Sequence, residues 1–407
     1  MQFELRDLQV LTNKGFTPEK AKTFKPLHPF DRAVVEFLDV LSRKLLRDPI
    51  ARQYPDIVTF AFWIRKSNIG ILREDYERRH DFSKETLYGK GLVFHVAPSN
   101  VPINFAYSLV AGLLSGNANI VRVSNKDFPQ TRIVTDAMEE LLDGGLWPGI
   151  ENLVTVVKYQ RENAEWTALF STICDIRIIW GGDETIKEIR KHQLQPNSIE
   201  ICFPDRYSLC AIEAKAILSE ENVATLAERF FNDTYLFDQN ACTAPHLIIW
   251  VGDAETIEKA KPLFWGAVRE YSGKKYPIAP IVAVDKLVAF CREAIGLGNV
   301  RREIDVDNTA VRVAVSSLSE EIQDNKSYGG YFNEFDARRL EEMTPVVTKK
   351  VQTLSYFGFS HNKIAEFLTQ GNCVGIDRCV PMGKTMDFSL NWDGKYLVDA
   401  LSRTVTF

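Results

Sequence analysis

Gly91-Leu92-Val93-Phe94-His95-Val96-Ala97-Pro98-Ser99-Asn100-Val101-Pro102 is an apolar run that stops at a proline-bounded turn carrying two polar side chains. From here onward, short apolar runs alternate with helical stretches, which is the pattern of βαβ units around a largely parallel sheet. Strands are expected at about residues 92–96, 119–123, 153–157 and 176–180, with 209–213 as a candidate fifth. Helices fit between them at about 104–114, 129–142, 165–170 and 185–192. The outline is a doubly wound nucleotide-binding arrangement. In an open parallel sheet, ligands bind outside the carboxyl ends of the strands, so the turn Ala97-Pro98-Ser99-Asn100 lies where a cofactor or substrate would be. Asn100 has two readings, a cap for the following helix or an amide donor to an oxyanion.

Upstream, residues 1–85 read as mostly helical. Asp31 is a plausible N-cap, and Val34, Phe37, Leu38, Leu41 and Leu45 recur at three- and four-residue spacing. Residues 57–71 form a second helical block. Downstream, a helix at 220–231 leads to Phe237-Asp238-Gln239-Asn240-Ala241-Cys242-Thr243-Ala244-Pro245-His246. Strand and helix then alternate again at 246–251, 255–270, 310–315, 350–357 and 362–370, a second α/β domain. The close carries a turn signal at Asp393-Gly394 and a strand-like end at 403–407. The resulting division is a helical segment 1–85, a cofactor-binding domain 86–213, a cysteine domain 214–375, and a segment 376–407 that returns to the cofactor domain or to an oligomer interface.

Composition narrows the function classes. A chain of 407 residues with net charge −5 and interspersed acids and bases has no basic stripe for nucleic acid. No leader-like start and no membrane-spanning apolar window is seen, which places the protein in the cytoplasm. Seven scattered cysteines without a Cys-x-x-Cys pair, and six histidines without i, i+4 spacing, point to no disulfide framework and no metal. Cys242 sits between small residues after a run of amide and acid side chains. It is either an accessible nucleophile whose thiolate is stabilised by nearby N–H groups, or an inert buried cysteine.

Two further stretches bear on a cofactor. In Ser115–Lys126 the expected strand presents Arg122 and Ser124 at its carboxyl end, a guanidinium and a hydroxyl suited to phosphate or ribose, though Arg122 also fits a surface ion pair. In Trp180-Gly181-Gly182-Asp183-Glu184-Thr185 glycines mark a strand-to-helix turn whose N–H groups suit a pyrophosphate, although capping explains the acids equally well. G-x-G-x-x-G and Walker sequences are absent.

Taken in order, the stretch from Gly89 to Pro102, Gly116-Asn117 to Arg122, the Cys242 segment and Trp392-Asp393-Gly394 resemble the aldehyde dehydrogenase superfamily. More closely they resemble its acyl-CoA reductase branch, typified by the fatty-acid reductase subunit of bacterial bioluminescence. The resemblance runs from about Gly89 to the C-terminus. It implies an aldehyde dehydrogenase-like α/β fold, with a Rossmann-type cofactor domain, a second α/β catalytic domain and the helical N-terminal segment. It implies that Cys242 is the nucleophile and that Asn100, at the asparagine of a Pro-x-Asn turn, stabilises the oxyanion together with the Cys242 N–H. Arg122 and Ser124 fall on the Lys-Pro-Ser-Glu segment that holds the adenine ribose. Gly181 and Gly182 fall on the turn beneath the pyrophosphate, and Ala97, Pro98 and Ser99 line the same cofactor edge.

Three departures refine the expectation. Where hydrolytic members carry the glutamate of Glu-Leu-Gly-Gly-Lys, this chain has Cys202-Phe203-Pro204-Asp205-Arg206, so an acyl-enzyme is expected to pass to a thiol such as coenzyme A rather than to water. At Asn125, NAD-dependent members have a ribose-gripping glutamate. A neutral amide there with Arg122 close by removes repulsion toward a 2′-phosphate and favours NADPH, NAD remaining open. Gln239 lies three residues before Cys242 rather than two, and Asn240 takes the vacant amide position. The expected reaction is NADPH-dependent reduction of an acyl-CoA, or another acyl thioester, to the aldehyde through an acyl-cysteine, with coenzyme A as leaving group. The alternatives are a hydrolytic NAD(P)-dependent aldehyde dehydrogenase and an inactive family member acting as a binding partner. The superfamily also implies a homo-oligomer, and an acyl-transferring partner enzyme is compatible with it.

Overall fold

The computed structural model describes residues 7–303, 307–371 and 373–407; the start of the chain, from which the lack of a leader was read, lies outside them. The chain forms two compact units. One comprises the residues up to Pro204 together with Phe388–Phe407, the other Asp205–Asp387.

The first unit contains β1 (Gln9–Val10), β2 (Glu85–Gly89), β3 (Leu92–Val96), β4 (Ala118–Arg122), β5 (Val154–Lys158), β6 (Ile176–Trp180) and β7 (Ile199–Phe203). Its six-stranded sheet runs β1-β5-β4-β3-β6-β7. All pairings are parallel except that of β1 with β5. Every residue of β3 and β6 is buried, the polar His95 and Arg177 included, as strands covered on both faces require. The helix Asn104–Leu114 lies so close to β4 that a Cβ on Gly112 would come 1.9 Å from the Asn119 side-chain oxygen. The chain order places a switch point at β3, whose neighbours β4 and β6 lie on either side of it.

The amino-terminal periodicity is realised in the helix Arg32–Arg47. Asp31 accepts hydrogen bonds from the Ala33 and Val34 amides, and Val34, Phe37, Leu38, Leu41 and Leu45 are buried. The second block is two helices, Pro55–Trp63 and Lys66–Glu77, because Arg65 adopts an extended backbone between them.

The second unit contains β8 (Tyr207–Glu213), β9 (Pro245–Val251), β10 (Val300–Arg302), β11 (Val311–Val315), β12 (Tyr331–Ala337), β13 (Val351–Phe357) and β14 (Arg378–Pro381). They form a sheet in the order β10-β11-β12-β9-β8-β13-β14, with only β10 antiparallel to its neighbour. Apolar clusters cover both faces, one around Phe230, Trp250, Phe264 and Trp265, the other around Leu209, Leu247, Ile249 and Phe367. The candidate fifth strand of the first sheet thus belongs elsewhere. Tyr207–Glu213 is an interior strand of the second sheet, and the fifth parallel strand of the first is β7. Periodicity identified a strand near 209–213, but pairing with β9 and β13 is a non-local choice that periodicity does not carry.

The end of the chain completes the first unit. A hairpin of β15 (Asn391–Trp392) and β16 (Lys395–Tyr396) turns through Asp393 at φ 48 and Gly394 at φ 68. Left-handed backbone at both turn positions is what a two-residue type I′ hairpin needs. β17 (Ser402–Thr406) pairs antiparallel with β2 of the same chain. Among the described residues no helix is long and apolar enough to cross a membrane.

Candidate active site

Three turns meet at the carboxyl ends of adjacent strands in the first unit. Val96 of β3 pairs with Arg122 of β4 on one side and Ile179 of β6 on the other, so Ala97–Asn100, Val123–Asn125 and Gly181–Gly182 leave the sheet side by side. Ala97 and Pro98 are half-buried, whereas Ser99 and Asn100 are exposed. Asn100 does not cap the next helix. Ile103 occupies that cap position, and no side chain accepts a capping hydrogen bond there.

Arg122 lies over the Tyr159 ring, its guanidinium carbon 4.7 Å from the ring centroid. Its Nε is buried without a hydrogen-bond partner among the described residues. The surface-ion-pair reading of Arg122 finds no carboxylate partner among the described residues. Ser124 Oγ accepts from the Lys126 amide at 3.2 Å, and Asn125 Nδ2 donates to Gln160 Oε1 at 3.0 Å. Gly182 is the N-cap of the helix Asp183–Arg190 without a side-chain cap, and a Cβ placed on it would meet only open space. An orphaned guanidinium nitrogen and an open glycine at a helix N-terminus fit an anionic dinucleotide at this edge.

Cys242 belongs to the second unit. It is partly exposed, on a turn between the helix Val223–Thr234 and the amino end of β9. The turn is fixed from several sides. The Ser208 hydroxyl donates to the Cys242 carbonyl at 2.7 Å. Buried Gln239, at φ 62, donates through Nε2 to the carbonyls of Pro245 (3.0 Å) and Tyr331 (2.9 Å). Its Oε1 accepts from the amides of Gly330 and Tyr331, both at 3.0 Å. Gln239 therefore clamps the loop to β12, and Asn240 is the exposed amide beside the cysteine. His246 is turned away into the interior, where its ring stacks on Tyr207 at 5.7 Å. Burial, with a smaller contribution from Lys326, pulls its pKa down to about 3, so it is a neutral core histidine.

Close to the turn lie groups that local sequence did not single out. Asp233 accepts from the Gly383 amide at 2.6 Å and the Thr385 amide at 2.9 Å. Arg378 donates to the carbonyls of Thr385, Lys384 and Asp387 at 2.8, 2.9 and 2.6 Å. Gly383 of this loop adopts φ 93, where a Cβ would lie 2.8 Å from Arg229 Cβ.

In the stretch where the resemblance expects the hydrolytic glutamate, Cys202 is half-buried on β7 with Sγ 3.3 Å from Glu200 Oε1. Its thiol is pushed up to about 11, first by burial and then by Glu200. Glu200 itself is engaged by Arg177 at 2.5 Å and Arg190 at 2.6 Å. Neither group is a ready base for water.

A parallel cofactor-type sheet and a second α/β unit with a cysteine turn define an aldehyde dehydrogenase-like fold. Solved structures agree. A 1-pyrroline-5-carboxylate dehydrogenase of Thermus thermophilus matches with a TM-score of 0.66 at 13% identity, over 97% of this chain and 82% of its own. Aldehyde dehydrogenase 21 from Physcomitrella patens matches with a TM-score of 0.66 at 12% identity, over 97% of this chain and 86% of its own. The sequence matches the acyl-CoA reductase (LuxC) family over residues 9–404, and the chain belongs to that family. Among curated relatives, the long-chain acyl-protein thioester reductase of Aliivibrio fischeri is 24% identical over 72% of this chain and 58% of its own length. That of Vibrio harveyi is 29% identical over 41% of this chain and 33% of its own. The chain thus spans about half the length of the curated relatives it matches, or less.

Proposed function

We propose that this protein reduces an acyl thioester to the aldehyde, with Cys242 carrying the acyl group and NADPH as the reductant. The observation that carries this reading is the partly exposed Cys242 thiol on a turn braced by Ser208 and Gln239. Its membership of the acyl-CoA reductase family and the names of the curated relatives support an acyl thioester as substrate. The lack of an acid at the expected place in the stretch Cys202-Phe203-Pro204-Asp205-Arg206 supports transfer between thiols over loss to water.

In this mechanism the Cys242 thiolate attacks the thioester carbonyl. By the resemblance to the aldehyde dehydrogenase superfamily, the Cys242 N–H and the Asn100 amide are assigned to stabilising the oxyanion, and the coenzyme A thiolate departs. The product is an acyl-cysteine thioester, which is electrophilic enough for reduction where a carboxylate is not. Arg122, Ser124, Gly181, Gly182 and the Ala97–Ser99 turn would hold a nicotinamide cofactor, which when bound would supply the hydride for this reduction. Cys242 leaves as thiolate when the aldehyde is released, which regenerates the nucleophile. The cation at Arg122 beside neutral Asn125 favours a 2′-phosphate on the ribose.

The test is NADPH consumption with acyl-CoA substrates across chain lengths, with intact-mass measurement of the acylated chain. The wild type should form aldehyde and gain one acyl group. Cys242→Ala should do neither, and turnover by that variant would overturn the assignment. Aldehyde-dependent NAD(P)H production without added coenzyme A would instead support the hydrolytic reaction.

A further inference from the structure

We infer that Arg378 is the cationic partner of Cys242, a positioning residue whose fixed charge stabilises the thiolate as nucleophile and as leaving group. The inference rests on the reading of Cys242 as the nucleophile. Its geometry comes from the second sheet. Arg378 of β14 pairs with Thr353 of β13, and Thr353 pairs with Ser208 of β8, so the three lie in one row at the amino-end edge of the sheet. Partners in a row point to the same face, and Ser208 on that face reaches the Cys242 carbonyl. Two strand spacings, roughly 10 Å, separate the Arg378 backbone from that of Ser208, a gap an arginine side chain is long enough to bridge in large part.

The guanidinium is aimed and held. Its hydrogen bonds go to the carbonyls of Lys384, Thr385 and Asp387. These acceptors are neutral, so they orient the group without cancelling its charge. Asp233 fixes the same loop through the amides of Gly383 and Thr385. The Thr243 hydroxyl, on the residue after Cys242, lies 3.3 Å from the Met386 sulfur and ties the cysteine turn to that loop. The charges acting on Arg378 are those of Asp387, Asp233 and Cys242. Asp387 is also paired with Lys384 at 3.1 Å. Burial lowers the guanidinium pKa, yet arginine stays charged at any working pH. A cation in this position lowers the pKa of a neighbouring thiol, whose proton passes to solvent water as the thiolate forms.

The test is the pH dependence of iodoacetamide alkylation at Cys242, resolved by peptide mass spectrometry, with exposed Cys291 as the internal reference. In the wild type the Cys242 midpoint should lie at least about one pH unit below that of Cys291. Arg378→Gln, which keeps donors to the carbonyls, should raise it by about one unit or more, roughly tenfold less thiolate at a given pH. Arg378→Lys should restore most of the shift. An unmoved midpoint in folded Arg378→Gln, or a shift in Arg378→Lys equal to that in Arg378→Gln, would overturn the inference. Should Arg378→Gln not fold, the wild-type comparison decides, since a Cys242 midpoint at or above that of Cys291 also overturns it. Failure of the nucleophile assignment reads out separately, as aldehyde formation by Cys242→Ala.

Discussion

The hydroxyl of Ser208 donates a 2.7 Å hydrogen bond to the carbonyl of Cys242, residues 34 apart in the chain. The turn that carries the thiol is thereby tied to the strand beside its own, and the position of the sulfur is set by the sheet rather than by the loop alone. Ser208→Ala leaves the carbonyl short of this donor and should cost about 1 kcal/mol of stability. Urea unfolding measures it, and an unchanged midpoint would show that the bond contributes nothing.

Gln239→Leu should cost more. The side chain is buried and satisfies two carbonyls and two amides, all of which the leucine leaves without it. A loss of roughly 2–4 kcal/mol is expected, with Cys242 alkylated by iodoacetamide less selectively than in the wild type. A variant as stable as the wild type would mean that the clamp is not what holds the loop.

Asn100→Ala should lower aldehyde formation roughly 10²–10³-fold, about 3–4 kcal/mol, with nucleotide affinity unchanged. An effect on nucleotide affinity alone would assign Asn100 to the cofactor edge instead.

Gly182→Ala separates folding from binding. The added methyl meets open space and the backbone at φ −63 accepts alanine, so the melting temperature should fall only slightly, alanine being the poorer N-cap. If the pyrophosphate lies against this glycine, NADPH titration should show about tenfold weaker binding, equivalent to about 1.4 kcal/mol. Undiminished affinity would move the phosphate site elsewhere.

His246 carries a pH prediction. Its folded pKa of about 3 lies below the ordinary 6.5, so between those values the unfolded chain binds more protons at this site. The stability it contributes is present above pH 6.5 and is lost as pH falls toward 3. His246→Gln should flatten the fall in urea midpoint across that window and leave in place the loss of turnover as pH falls, the acidic limb of the rate profile. Disappearance of that limb would make His246 the base for Cys242.

Much of the first sheet was legible in the sequence because it rests on local features. The runs at 92–96, 119–123 and 176–180 are mostly apolar, broken only by His95, Asn119, Arg122 and Arg177, and end in polar or glycine turns, and they appear as β3, β4 and β6 with little change of boundary. β7 was missed because Ile199-Glu200-Ile201-Cys202-Phe203 alternates like a half-exposed edge strand, with Ile199, Glu200 and Cys202 only partly buried. Arg378 and Asp233 were missed because no local pattern marks them. Asp233 meets Thr385 across 152 residues of chain.

By itself the sequence determined most of the strands of the first sheet and of the helices between them, the turns that end β3, β4 and β6, and the presence of a cysteine where the family resemblance expects a nucleophile. Those properties follow from side-chain periodicity and turn chemistry, which act over a few residues. Only the tertiary structure decided that Tyr207–Glu213 joins the second sheet, that Gln239 clamps the cysteine loop, and that Arg378, Thr353 and Ser208 share one row. Strand pairing and loop closure of this kind join distant residues, and their outcome depends on how whole apolar faces pack against one another.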